Sequence, residues 1–199
     1  MIFSVGELID VIIMTVAVGF IFKDTFVRPH EGRFDPIKAA QESSFSKTWK
    51  DMRFAILLTA PAIIFHELAH KLVAISFGLV ATFHASYSFL AIGVALRLLH
   101  SPFLFFVPGY VSHAATGHVE TLAIAFAGPL LNLVLWVLAS LLCASVTIQK
   151  SYPKALPALY LTSRINMFLF FFNMLPVPPF DGFSVFSSLY HVVGPMLGL

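Results

Sequence analysis

Arg53-Phe54-Ala55-Ile56-Leu57-Leu58-Thr59-Ala60-Pro61-Ala62-Ile63-Ile64-Phe65-His66-Glu67-Leu68-Ala69-His70-Lys71-Leu72-Val73-Ala74-Ile75-Ser76-Phe77 is an apolar run of membrane-span length with a His-Glu-x-x-His pattern inside it. Histidines four residues apart lie one turn apart on one helical face, so both imidazoles reach a single metal ion. The glutamate beside the first is placed to hold and deprotonate a water at that metal. Ionisable groups in hydrocarbon are costly, which makes a functional reading the default. In a chain with eight His among 199 residues, chance supplies roughly 0.008 such patterns. A pair of merely hydrogen-bonded histidines is therefore the weaker reading. The motif lies roughly 10–20 Å from either end of this run, so water needs a channel to reach it.

The rest of the chain is equally apolar. Hydrophobic residues make up 58% and charged residues 11%, with a mean hydropathy of +0.88. This excludes an ordinary soluble domain and points to an α-helical polytopic membrane protein, a single membrane-embedded domain over 1–199. A net charge of +2 gives no argument for nucleic acid as a partner. The single cysteine, Cys143, excludes an internal disulfide and a multi-cysteine metal site. Val5–Phe22 carries Glu7 and Asp10 and lacks a basic leader and a small-residue cleavage site. It reads as a retained first span, not a signal peptide.

Residues 23–52 form the only long polar stretch and read as a loop, with room for a short interfacial helix around Trp49. Arg53–Phe77 is the second span, which Gly78 can stop. From Ala81 to Phe89 the odd positions are apolar and the even ones (Thr82, His84, Ser86, Ser88) polar, the alternation of a half-buried strand. Length alone allows a helix through Leu90–Val107. The interruptions at Arg97, His100, Pro102 and Pro108-Gly109 favour strands, making 78–118 a membrane-associated β-hairpin or re-entrant segment. Open strands cannot face lipid, so this region must be covered by protein or line a wet cavity. Leu122–Val146 and Ala158–Leu175 bring the count to about four transmembrane helices. Phe183–Val193 closes the chain as a short helix at the interface.

Hydrolytic zinc sites usually take three protein ligands, so two histidines are not enough. Asp181 follows an apolar span and sits in the break Pro176-Val177-Pro178-Pro179-Phe180-Asp181-Gly182. The prolines impose extended geometry and Gly182 permits a tight turn, so the break can point this carboxylate back into the bundle. A helix cap at Asp181 fits the same residues. Glu120, the only downstream glutamate, is isolated and makes a poor third ligand. Lys71 is expected to reach the nearer interface. His113, His118 and the remaining histidines are expected to be solvated or locally hydrogen-bonded.

Several segments together resemble the site-2 proteases, a family of intramembrane zinc metalloproteases. They are Phe65-His66-Glu67-Leu68-Ala69-His70, then Val107-Pro108-Gly109-Tyr110-Val111, then Ala127-Gly128-Pro129-Leu130-Leu131-Asn132, and finally Asn173-Met174-Leu175-Pro176-Val177-Pro178-Pro179-Phe180-Asp181-Gly182. The second lacks one glycine of the family's P-x-G-G-Y-V stretch. The likeness covers about residues 53–185 and is to a minimal core without a PDZ or CBS domain. It implies zinc held by His66, His70 and Asp181, with Glu67 as catalytic base. It also implies hydrolysis of a peptide bond in or near a transmembrane segment of a substrate protein.

On this reading Asn173 and His84 are candidates for contacts to the oxyanion or substrate, and the Ala81–Phe89 strand offers an edge to an extended substrate. The partners are a transmembrane protein and the lipid bilayer, in a multi-pass protein of the cell membrane. The competing reading is a non-proteolytic membrane metal-binding or transport protein with the same ligands and no need of Glu67. Orientation pulls two ways. Residues 23–53 hold seven of the twelve Lys and Arg, which places that loop in the cytoplasm; the family layout places it outside.

Overall fold

The computed structural model describes residues 3–26, 43–101 and 107–194. Helix α1 spans Val5–Phe22, as expected. Its start is set by a reciprocal cap: Ser4 Oγ accepts from the Glu7 N–H at 3.2 Å and Glu7 Oε2 from the Ser4 N–H at 2.7 Å. Helix α2, Ser44–Ser76, starts earlier than the expected Arg53. Ser43 Oγ caps it by accepting from the Ser46 N–H at 3.1 Å. Polar residues do not interrupt helical hydrogen bonding. The helical part of the expected 23–52 loop, Trp49 included, therefore continues directly into the second span, while 27–42 lie outside the described residues. Gly78, at φ +77°, ends this helix. There the Gly78 N–H donates to Ile75 C=O at 2.8 Å and the Leu79 N–H to Ala74 C=O at 3.1 Å, a termination that needs left-handed backbone.

Strand β1, Ala81–Ala85, pairs antiparallel with β2, Gly109–His113, Ala81 lying opposite His113 and Ala85 opposite Gly109. Ala81, Phe83 and Ala85 are buried and Thr82 and His84 half-buried, as the alternation requires. The strand nevertheless stops at Ala85 rather than Phe89. The Ser86 N–H donates to Pro108 C=O at 3.0 Å, and helix α3, Tyr87–Leu98, follows. This corrects the strand reading of the residues after Leu90. Short apolar runs fit either period, and a helix satisfies its own backbone where an apolar setting offers no water. Residues 102–106 lie outside the described residues.

Helix α4 is His118–Ala144, α5 Val146–Ser151, α6 Leu156–Asn173 and α7 Asp181–Val193. Among the described residues four helical stretches are long and apolar enough to cross a membrane: α1, α2, α4 and the segment Pro153–Asn173 that ends in α6. The 33 residues of α2 extend about 50 Å, well beyond the roughly 30 Å of a hydrocarbon core. The main core gathers Met14, Val18 and Ile21 of α1 with Ala62 and Ile63 of α2, Phe83 and Ala85 of β1, and Leu169 of α6.

Helix α1 also holds the sheet. Glu7 Oε1 accepts from the Phe83 N–H at 2.8 Å and Asp10 Oδ2 from the Ala85 N–H at 3.2 Å. In an antiparallel ladder alternate N–H groups point outward, so these two carboxylates occupy the outer edge of β1. The edge left open among the described residues is that of β2. This corrects the expectation that the β1 strand is available to a substrate. Lys71 also departs from expectation. It does not run to an interface but is buried and ion-paired with Glu7, because a carboxylate from α1 is already packed against its helix. Removing one partner of a buried pair leaves a charge uncompensated. Lys71→Met should therefore destabilise the fold by about 3–5 kcal/mol, seen as a lower thermal midpoint in detergent. An unchanged midpoint would show that the pair contributes nothing to the fold.

Candidate metal centre

His66 and His70 lie on one face of α2, one turn apart, and both are buried. Asp181 reaches them from the first turn of α7. Its route runs through Pro176–Phe180, where the Pro178–Pro179 peptide is cis. Gly182 lets the turn close: a Cβ there would stand 2.6 Å from Leu175 C=O and press on the Met174 backbone. The cap reading of Asp181 is not seen. Phe180 is the N-cap of α7, and no side chain caps that helix. Instead Asp181 Oδ2 stands 3.0 Å from His66 Nε2 and 3.3 Å from His70 Nε2, and the two Nε2 atoms stand 3.1 Å apart. Burial alone would raise the Asp181 carboxyl; the facing His70 and His66 rings outweigh this and hold it below the ordinary carboxylate range.

The donor set fits zinc. Ligands on a tetrahedron 2.0–2.1 Å from its centre stand about 3.3 Å from one another, close to the three separations observed here. The Nδ1 atoms face away and are engaged elsewhere. His66 Nδ1 is 2.6 Å from Asn132 Oδ1, and His70 Nδ1 is 2.6 Å from Ile124 C=O. Ile124, Gly128 and Asn132 recur every four residues on α4, so one helical stripe backs both rings. Gly128 makes the approach possible, since a Cβ there would stand 2.7 Å from His66 Nε2 and overlap His70 Nε2.

These groups border a cavity of about 460 Å³, lined among others by Glu67, Gly109, Val111, His113 and Asn173. Among the described residues Glu67 has no hydrogen-bond partner. Glu67 is buried and lines the cavity beside the two histidines. Asn173, at the end of α6, also lines the cavity. His84 does not: it lies on the outer sheet face beside Tyr110, with Nε2 3.0 Å from Ser112 Oγ. Glu120 is also absent from the lining and turns back towards Gly117. His113 Nδ1–H donates locally to Ala114 C=O at 2.8 Å.

Along nearly its whole length the chain is similar to a protein of Methanocaldococcus jannaschii named "putative zinc metalloprotease". The two are 33% identical over 208 aligned positions, covering 98% of this chain and 93% of the relative. The chain belongs to that zinc metalloprotease family. No protein-family model matches it, and no solved structure matches it significantly. A zinc cofactor accords with both the family and the His66–His70–Asp181 cluster.

In this metalloprotease no spacing in the histidine motif itself marks the partners of the histidine Nδ1 atoms. Asn132 appeared only within a family-like segment. A sharper signal was present: an asparagine and a glycine four residues apart in an apolar helix, where an unpaired amide is costly. Gly128→Ala should displace both imidazoles and markedly reduce zinc content, measured by metal analysis of purified protein. Wild-type zinc in this variant would show that the rings can move aside freely.

Proposed function

We propose that this zinc metalloprotease is an intramembrane protease of the site-2 kind. It would hydrolyse a peptide bond in or near a transmembrane segment of a substrate protein. The observation that carries this reading is the convergence of His66, His70 and Asp181 beside a Glu67 that has no hydrogen-bond partner among the described residues, in a cavity among helices long and apolar enough to cross a membrane. Exposed Leu57, Leu141 and Val16 on the outer faces of three of those helices support a multi-pass protein with lipid as its surroundings, such as one of the cell membrane.

His66, His70 and Asp181 would hold the metal. When bound, zinc supplies Lewis acidity to a water and to the scissile carbonyl. Glu67 takes the proton of the attacking water at its carboxylate and passes it to the leaving amine. The side-chain amide of Asn173 offers the extended substrate or its developing oxyanion a hydrogen bond.

A helical substrate hides its peptide bonds and must unwind before cleavage. The β2 edge supports docking of the unwound strand. The Glu7 and Asp10 carboxylates occupy the other side of the sheet, whereas Gly109, Val111 and His113 border the cavity itself. A transport or storage role would leave the Glu67 carboxylate without a task.

Three purified variants test this reading. Glu67→Gln should keep zinc and lose cleavage of a model transmembrane substrate by about 10²-fold or more. Asp181→Ala and His66→Ala should lose zinc as well as cleavage. Cleavage by Glu67→Gln at the wild-type rate would overturn the mechanism, and full zinc in Asp181→Ala would overturn the ligand set.

A further inference from the structure

The two buried asparagines behind His66 form a chain of hydrogen bonds with a fixed direction. Asn132 and Asn166 are both fully buried. Asn166 Nδ2 donates to Thr162 C=O at 2.9 Å. A backbone carbonyl can only accept, so the Asn166 Oδ1 is left to face Asn132. Asn132 Nδ2 donates to that oxygen at 2.9 Å and to Ala62 C=O at 3.3 Å. Two acceptors therefore fix the Asn132 amide, and its Oδ1 must be the atom 2.6 Å from His66 Nδ1. An oxygen at that position requires a proton on Nδ1. The lone pair of His66 is then confined to Nε2, the atom that faces Asp181 and His70. His70 reaches the same state more directly, through Ile124 C=O.

We infer that Asn132, locked by Asn166, is a positioning residue for the metal: it sets the tautomer and ring orientation of His66. This rests on the reading of His66 as a ligand. A free imidazole divides its proton between two nitrogens, and a ring protonated on Nε2 cannot bind a metal through that atom. The Asn132–Asn166 pair removes this alternative before any metal arrives. Asn166 lies on α6, so a chain of hydrogen bonds links that helix to the ligand. Partners of this type on metal-bound histidines are typically worth about 10- to 100-fold in metal affinity.

The test is zinc affinity by chelator competition on the full chain in detergent, alongside melting of the metal-free forms. Asn132→Leu keeps the approximate volume and removes the acceptor; it should bind zinc about 10- to 100-fold more weakly, with secondary structure retained. Asn132→Asp, whose protonated carboxyl can accept from His66 and donate to Asn166, should stay close to wild type. Wild-type affinity in Asn132→Leu would overturn the inference, as would equal losses in the Leu and Asp variants, which would mark a packing role. Should Asn132→Leu fail to fold, Asn166→Ser breaks the lock without touching His66; it should also weaken zinc binding, and unchanged affinity there would overturn the inference. His66→Ala is the control: if it retained wild-type affinity, the ligand assignment itself would fail, independently of Asn132.

Discussion

A polar group buried in an apolar bundle must find its partner inside the protein, and the structure around the metal centre follows from that requirement. Two imidazoles on α2 expose four ring nitrogens. Two converge on Asp181, and the other two need acceptors, which α4 supplies from one stripe as Asn132 Oδ1 and Ile124 C=O. Asn132 in turn needs somewhere to send its own N–H groups, which calls on Asn166 and Ala62. Each satisfied group creates the next demand, and the sequence of demands ties α2, α4 and α6 together at one depth. Gly128 is the steric counterpart, since the stripe can approach the rings only where a side chain is missing.

The same requirement explains the other side of α2. Lys71 follows directly after His70 and points away from the metal centre. Buried there, it needs a carboxylate, and Glu7 of α1 meets it. Glu7 also accepts from the backbone of Ser4 and Phe83. One side chain thus joins the start of the first helix, the helix that carries His66 and His70, and the first strand. With Asp10 on Ala85, it occupies the outer edge of the sheet and leaves the cavity-facing strand open. The proposed docking of an extended substrate therefore depends on α1, an element that does not line the cavity.

Much of the architecture was readable from the chain. The alternation at Ala81–Ala85 marked a real strand because burial on one face is a local property with a period of two. The first span, the stop at Gly78 and the closing short helix were equally local. Short segments fit two periods at once. Tyr87–Leu98 is a helix, yet its first residues continue the alternation of the strand, and a few positions cannot distinguish the two. At Ser44–Asp51 the expected short helix around Trp49 is present, but it runs on into the helix that follows, because polar composition does not end helical hydrogen bonding.

The sequence by itself determined the chemistry at hand: an apolar chain, a His-Glu-x-x-His helix, and an aspartate delivered by a proline-rich break. These are properties of composition and short spacing, fixed by the 3.6-residue turn and by the conformational limits of proline and glycine. Only the tertiary structure decided that Asp181 faces the two imidazoles rather than capping its helix, which strand edge is free, and what stands behind each histidine. Those depend on residues 34 to 115 positions apart. No local rule relates such residues; they meet because each buried donor must find an acceptor within the bundle.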